Sequence, residues 1–139
     1  MTPAFVVDAS VAVAWIHPDQ ASPESETCLD AMVDGAELLV PAVWPLEVAN
    51  ALTVLTRRSK LTVDERKAAL RWLKQLRVRV DHDASTLAFT ELSTLAARLA
   101  ISVYDAAYLE LASRRKVPLG CKDGPLRAAA RRHGVMLLP

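Results

Sequence analysis

Ala4-Phe5-Val6-Val7-Asp8 sets the reading of the whole chain. Its apolar residues are consecutive rather than alternating and include strong strand formers, the pattern of a short strand buried on both faces. A carboxylate closes the strand, which puts Asp8 at the carboxyl edge of a sheet, where open α/β folds bind their ligands. Working outward, Ser10 is placed to cap a short helix through Trp15, and Ser22-Pro23 opens a second helix that closes near Gly35. Leu38-Leu39-Val40 reads as the second strand. Pro45 lies in the first turn of a helix to about Arg58, and Thr62 caps another to about Leu76, giving an αα-hairpin at about 45–76. Arg77 to Asp81 alternates as a third strand, Asp83 caps a helix from Ala84 to about Leu99, and Ser102 or Val103 opens one to about Arg115. Pro118-Leu119-Gly120 is a brief fourth strand, Pro125 to His133 the last helix, and Val135-Met136-Leu137 a terminal strand after Gly134. Strands alternate with helices throughout, so the expected fold is α/β, a central parallel sheet of about five strands flanked by helices.

With 139 residues, 52% of them hydrophobic and 24% charged, the chain fits one domain around one core, over residues 1–139. A net charge of +1 provides no overall pull toward nucleic acid. RNA binding would have to come from local clusters such as Arg57 and Arg58, Arg114 to Lys116, or Arg131 and Arg132. The apolar stretch from Ala4 to Ile16 is interrupted by Asp8 and falls short of the roughly 20 residues a membrane span needs. Cys28 and Cys121 read as reduced thiols, and no signal-peptide pattern precedes them, so the expectation is a soluble cytoplasmic protein away from membranes.

Four acids are placed to converge at the carboxyl edge. Asp8 ends the first strand, Asp123 follows the fourth, and Glu47 lies in the first turn of the helix after the second. The helix bearing Asp105 feeds the fourth strand through a very short link, so it runs antiparallel to that strand and begins at the same edge. Carboxylates gathered this closely repel one another unless some are protonated or a cation is bound. An all-oxygen set without paired Cys or His favours Mg²⁺, with Mn²⁺ as a substitute, over Zn²⁺. A hard divalent ion that activates water suits phosphodiester hydrolysis without a side-chain nucleophile. Taken singly, Glu47 and Asp105 read as dipole-complementing acids and Asp123 as a turn or cap residue; their joint placement is the signal.

Four short motifs in order carry a resemblance. Val6-Val7-Asp8-Ala9-Ser10, Glu47-Val48-Ala49-Asn50-Ala51-Leu52, Ser102-Val103-Tyr104-Asp105-Ala106-Ala107-Tyr108-Leu109, and Asp123 with Leu126 and Ala128-Ala129-Ala130 before Gly134-Val135 span nearly the whole chain. Together they resemble the PIN-domain ribonucleases, and the small size resembles the VapC-like toxins of type II toxin-antitoxin pairs. The resemblance implies a metal-dependent endoribonuclease with Asp8, Glu47, Asp105 and Asp123 as catalytic residues and metal ligands. It also implies an RNA substrate, a homodimer, and a small antitoxin partner. Ser10 and Cys121 fall where residues supporting those ligands are expected, although the family often has Thr or Ser in place of Cys121, and a thiol is a weaker donor. Lys122, beside Asp123, is the first candidate for binding substrate phosphate, with Arg98 and Arg127 behind it.

Other residues point elsewhere only weakly. Cys121 and His133 lack any signature that would pair thiol and imidazole. Asp81-His82-Asp83 sits in an extended segment whose neighbouring side chains face opposite ways, a poor metal triplet. Trp15, Trp44 and Trp72 lie in apolar stretches that favour packing over base stacking. A phosphoacceptor domain would want an acidic pair after the first strand and an acceptor aspartate closing the third. The remaining alternative is a PIN-like domain that binds RNA or protein without cutting.

Overall fold

The computed structural model describes residues 3–138. Its sheet contains β1 (Ala4–Val7), β2 (Glu37–Pro41), β3 (Val78–Asp81) and β4 (Leu119–Gly120), in the order β3-β2-β1-β4 with every pairing parallel. The consecutive apolar residues of β1 are buried on both faces, because this strand lies between β2 and β4 and is covered by helices. Helices α1 (Ala9–Ile16), α2 (Pro23–Val33), α3 (Val43–Arg57) and α4 (Val63–Gln75) come first in the chain. Helices α5 (Ala84–Leu87), α6 (Ser93–Leu99), α7 (Val103–Arg115) and α8 (Gly124–Arg132) follow. Among the described residues no single helix is long and apolar enough to cross a membrane.

Several local choices differ from the sequence expectations. The terminal strand reduces to one parallel bridge between Leu119 and Leu137, so the sheet has four strands. β4 has only two residues between Pro118, which has no amide hydrogen, and the loop toward α8, leaving little to pair with. Ser10 does not cap α1, which begins one residue earlier. Asp8 is the cap, accepting the Val11 amide at 3.2 Å, and Ser10 donates back to its carboxylate. Asp83 makes no cap hydrogen bond either; its carboxylate faces Arg114 at 3.4 Å. The helix expected over 84–99 is broken by a π turn at Ala88–Leu92. Leu92 at its end and Leu95 and Leu99 beyond it are buried, while Phe89 within it is exposed.

The αα-hairpin forms as expected. Thr62 and Glu65 close a reciprocal capping box at the start of α4. Trp15 of α1 meets Trp72 of α4 edge to face, with ring centroids 6.1 Å apart, and donates its indole N–H to the Ser25 carbonyl. Trp44 is buried in the core, and Trp15, half-buried, packs against it.

Candidate active site

Asp8 follows the last residue of β1 and is 6% exposed. Two donors fix its position: the Val11 amide donates to Oδ1, and the single Ser10 hydroxyl proton is shared between Oδ1 at 2.8 Å and Oδ2 at 3.0 Å. These donors favour the charged form, yet burial outweighs them and, with the charges of Asp105 and Asp123, pushes its pKa up to about 6. Asp105 sits in the first turn of α7, where its amide donates to the Ser102 cap at 3.0 Å. Its carboxyl is also held above the usual carboxylate range, by burial first and then by the charges of Asp123 and Glu47. Asp123 caps α8, accepting the Leu126 amide at 2.9 Å, and remains exposed. Glu47, in the early turns of α3, is half-buried and accepts the Tyr108 hydroxyl at 2.6 Å.

Asp105 therefore feels Asp123 and Glu47, Asp8 feels Asp105 and Asp123, and none of the four has an ion-pair partner among the described residues. Among those residues no three His, Cys, Asp or Glu side chains close to chelating distance. The convergence is thus one of charge rather than a finished coordination shell. It still suits a hard divalent cation: the donors are all oxygen, negative charge is concentrated without a basic partner, and burial alone disfavours the ionised form of Asp8. A cleft of about 360 Å³ borders Ser10 and Glu47 and continues along α3 past Ala51 and Val54 to Leu55. A larger cavity of about 670 Å³ lies elsewhere, between Glu91, Arg98 and His133, and includes none of the four acids.

Tyr108, which the sequence offers only as part of its helix motif, contacts one of the four acids. It is buried, stands three residues after Asp105 on α7, and ties that helix to Glu47 of α3 across 61 residues of sequence. Burial, the hydrogen bond to Glu47 and the surrounding carboxylates all hold its hydroxyl in the protonated form. Its spacing from Asp105 was the available signal, since residues three apart share a helix face. Lys122 donates its ammonium to the Gln20 carbonyl, linking the β4–α8 loop to the α1–α2 loop, so a phosphate would compete with that contact. The Cys121 thiol is buried and makes no hydrogen bond to the carboxylates among the described residues; its backbone carbonyl accepts Arg127 at 3.0 Å. Burial keeps that thiol protonated. Cys28 and Cys121 are both free thiols. Arg98 pairs with His133 Nδ1 at 3.0 Å, away from the acids. The Asp81-His82-Asp83 segment is no metal triplet: Asp81 and Asp83 face Arg114.

Three solved structures share this architecture. One is PAE2754 from Pyrobaculum aerophilum, 21% identical, matched over 99% of this chain and 92% of that one with a TM-score of 0.67. Another is VapBC2 from Rickettsia felis bound to a DNA fragment from its promoter, 13% identical over 96% of each chain with a TM-score of 0.65. The third is Mycobacterium tuberculosis VapC20, described as a toxin that cleaves the sarcin-ricin loop, 19% identical over 90% of this chain and 94% of that one with a TM-score of 0.60. At these identities the likeness is one of fold. No curated protein sequence matches the chain. In sequence, the PIN domain matches residues 5–137, and with the parallel sheet and the gathered acids this settles the family: the chain belongs to the PIN domain family.

Proposed function

We propose that the chain, a single PIN domain over residues 1–139, is a metal-dependent endoribonuclease and the toxin of a VapC-like toxin-antitoxin pair. The observation that carries the reading is the gathering of four carboxylates without ion-pair partners among the described residues, with buried Asp8 among them, whose pKa of about 6 marks a site short of positive charge. Asp8, Glu47, Asp105 and Asp123 would hold Mg²⁺, or Mn²⁺ in its place. When bound, such a cation supplies a water made acidic enough to attack a phosphodiester and a positive charge for the leaving oxygen. The chain's own part is positional. Ser10 and the Val11 amide fix the Asp8 carboxylate, Tyr108 fixes Glu47, and the starts of α7 and α8 present Asp105 and Asp123 to the same side. Backbone amides at those helix starts soften the repulsion among the acids without neutralising it.

Attack by water makes the RNA 2′-OH a bystander, so the products carry a 5′-phosphate and a 3′-OH. Incubating the chain with RNA and Mg²⁺, with and without chelator, tests this; end-group analysis that finds 2′,3′-cyclic phosphates would exclude the mechanism. The toxin reading adds a cytoplasmic setting, a homodimer, and a small inhibitory partner that lays an apolar segment near the α3–α4 hairpin. An apolar groove of about 500 Å³ between Trp44, Val48, Leu70 and Leu73 is available there. Co-expression with the neighbouring small reading frame, followed by sizing of the complex, tests that part. The alternative, RNA or protein binding without cleavage, is favoured by the absence of a closed chelating trio among the described residues. Metal-independent RNA binding with no cut product would establish it.

A further inference from the structure

The 17 Lys and Arg are unevenly spread. Nine of them, but only two of the 16 Asp and Glu, fall within residues 57–79, so that stretch carries +7 in a chain whose total is +1, leaving −6 on the rest. It forms the end of α3, the hairpin turn, α4 and β3. Eight of the nine basic residues are exposed, and among the described residues only Arg79 has an ion-pair partner, Glu37 at 3.1 Å. On α4, Lys67, Arg71 and Lys74 are spaced four and three residues apart and form one exposed stripe, opposite Ala69 and Leu73.

Elsewhere most of the basic side chains are spent internally, Arg115, Lys116 and Arg131 being exposed exceptions among the described residues. Arg114 is held by Glu110, Asp81 and Asp83, with its bond to Glu110 at 2.6 Å. Arg132 donates to the Leu99 carbonyl, Arg127 to that of Cys121 and Lys122 to that of Gln20. An ordinary solvated helix face alternates its signs, as Glu110 and Arg114 do on α7. From Lys67 to Lys74 the α4 stripe instead stacks like charges after Asp64 in the first turn, a small cost to the helix that a polyanion lying against it would relieve.

Position supplies the second observation. Glu47 lies near the start of α3 and Arg57 at its end, ten residues on, or about 15 Å at the rise of an α-helix. The cleft that opens beside Glu47 runs along this same helix as far as Leu55, so it leads from the acids toward the basic turn of Arg57, Arg58 and Lys60. We propose that the RNA strand flanking the cleaved bond follows α3 out of the acidic site and is held through its phosphates by the basic α3–α4 hairpin. This rests on the ribonuclease reading for the strand's other end. A regular polyanion matches charges repeated at helical intervals. An acidic peptide on the same path would offer the acids no phosphodiester to act on.

The test uses the full chain carrying Asp105→Asn, in chelator, so that RNA is not cut. Binding of a labelled single-stranded RNA is followed by anisotropy from about 50 to 200 mM salt, where each phosphate contact contributes about 0.7 to the slope of log K against log salt. Lys67→Gln, Arg71→Gln and Lys74→Gln together should lower that slope by about 2. Arg115→Gln, Lys116→Gln and Arg131→Gln together remove the same net charge from other exposed positions and should leave the slope within about 0.5. Should the triple hairpin variant fail to melt cooperatively, Arg71→Gln alone reads the same question with a change of about 0.7. An unchanged slope in the hairpin variant, an equal loss in both triples, no RNA binding by the parent chain, or displacement of RNA by polyglutamate at equal charge would each overturn the proposal. Hairpin-dependent binding without metal-dependent cleavage would sink the ribonuclease reading and overturn the path from the acids while leaving the hairpin's phosphate contacts; cleavage with an unchanged slope would overturn the hairpin contacts and leave the ribonuclease reading.

Discussion

Replacing Asp8 by Asn should stabilise the metal-free protein, and only where the aspartate is ionised. Burial and the nearby acids raise its pKa from 3.8 to about 6, so the folded state holds the charged form less willingly than the unfolded chain does. A raised folded-state pKa leaves full stability below the unfolded value and loses it as pH climbs through the folded one. In chelator, Asp8 therefore lowers the wild-type stability between about pH 4 and pH 6, by about 3 kcal/mol at most, from a shift of roughly two units at 1.36 kcal/mol each. Asparagine resembles the protonated acid in size and charge, and its oxygen can still accept from Val11 and Ser10, so the cap survives. The variant should melt up to about 10 °C above wild type near pH 7.5 and level with it near pH 4. Added Mg²⁺ should then raise the wild-type melting temperature and leave the variant largely unmoved. Thermal melts followed by circular dichroism in chelator at the two pH values decide it. An Asn variant that melts below wild type near pH 7.5, or a gap that does not change with pH, would refute the argument that Asp8 is an uncompensated buried charge.

Asp105→Asn should likewise melt at or above wild type in chelator, respond less to Mg²⁺ and cut RNA slower by orders of magnitude; retained cleavage with a retained metal response would remove Asp105 from the site. Tyr108→Phe deletes the hydroxyl that holds Glu47 and should cost about 1.5–3 kcal/mol in chemical denaturation, and a change under about 0.5 kcal/mol would show the bond to be idle. Gly120→Ala places a Cβ 2.4 Å from Cys28 Sγ and should destabilise by about 1–3 kcal/mol; a double-mutant cycle with Cys28→Ala should show most of that loss relieved, and strict additivity would contradict the packing. Cys121→Ser should leave RNA cleavage within about a few-fold, because a buried, protonated thiol is a poor nucleophile, and complete loss would reopen thiol chemistry.

The parts of this fold that show in the sequence are those decided by neighbours in the chain. β1 and its closing acid are legible because a doubly buried strand must be apolar at consecutive positions, which makes the interrupting Asp8 conspicuous. The helix starts at Ser22, Thr62 and Ser102 are legible because each cap bonds an amide three residues on. What escapes is settled by partners far along the chain. Asp83 has the residue type of a cap, but Arg114, 31 residues away, takes its carboxylate. Tyr108 finds Glu47 across 61 residues, and no periodicity encodes that pairing. The π turn at Ala88–Leu92 leaves no composition signal, since its residues suit an α-helix equally well.

The same distinction bears on whether the four acids are functional or only complement helix dipoles. Asp8 and Asp123 are N-caps and Asp105 stands in a first turn, so helix structure alone would account for where they sit. It does not account for the charge state of Asp8 and Asp105. Glu65 has the same kind of place in α4, and there the hydrogen bond with the Thr62 backbone holds its pKa below the usual range, as expected of an acid that serves its helix. Asp8 and Asp105 move the opposite way, pushed up by burial and by one another's neighbours despite the donors they keep. A capping role calls for an acid that the fold makes more comfortable when charged. Burying two such acids against two more makes them less so, and that arrangement becomes favourable only when some of them are protonated or a cation accompanies them.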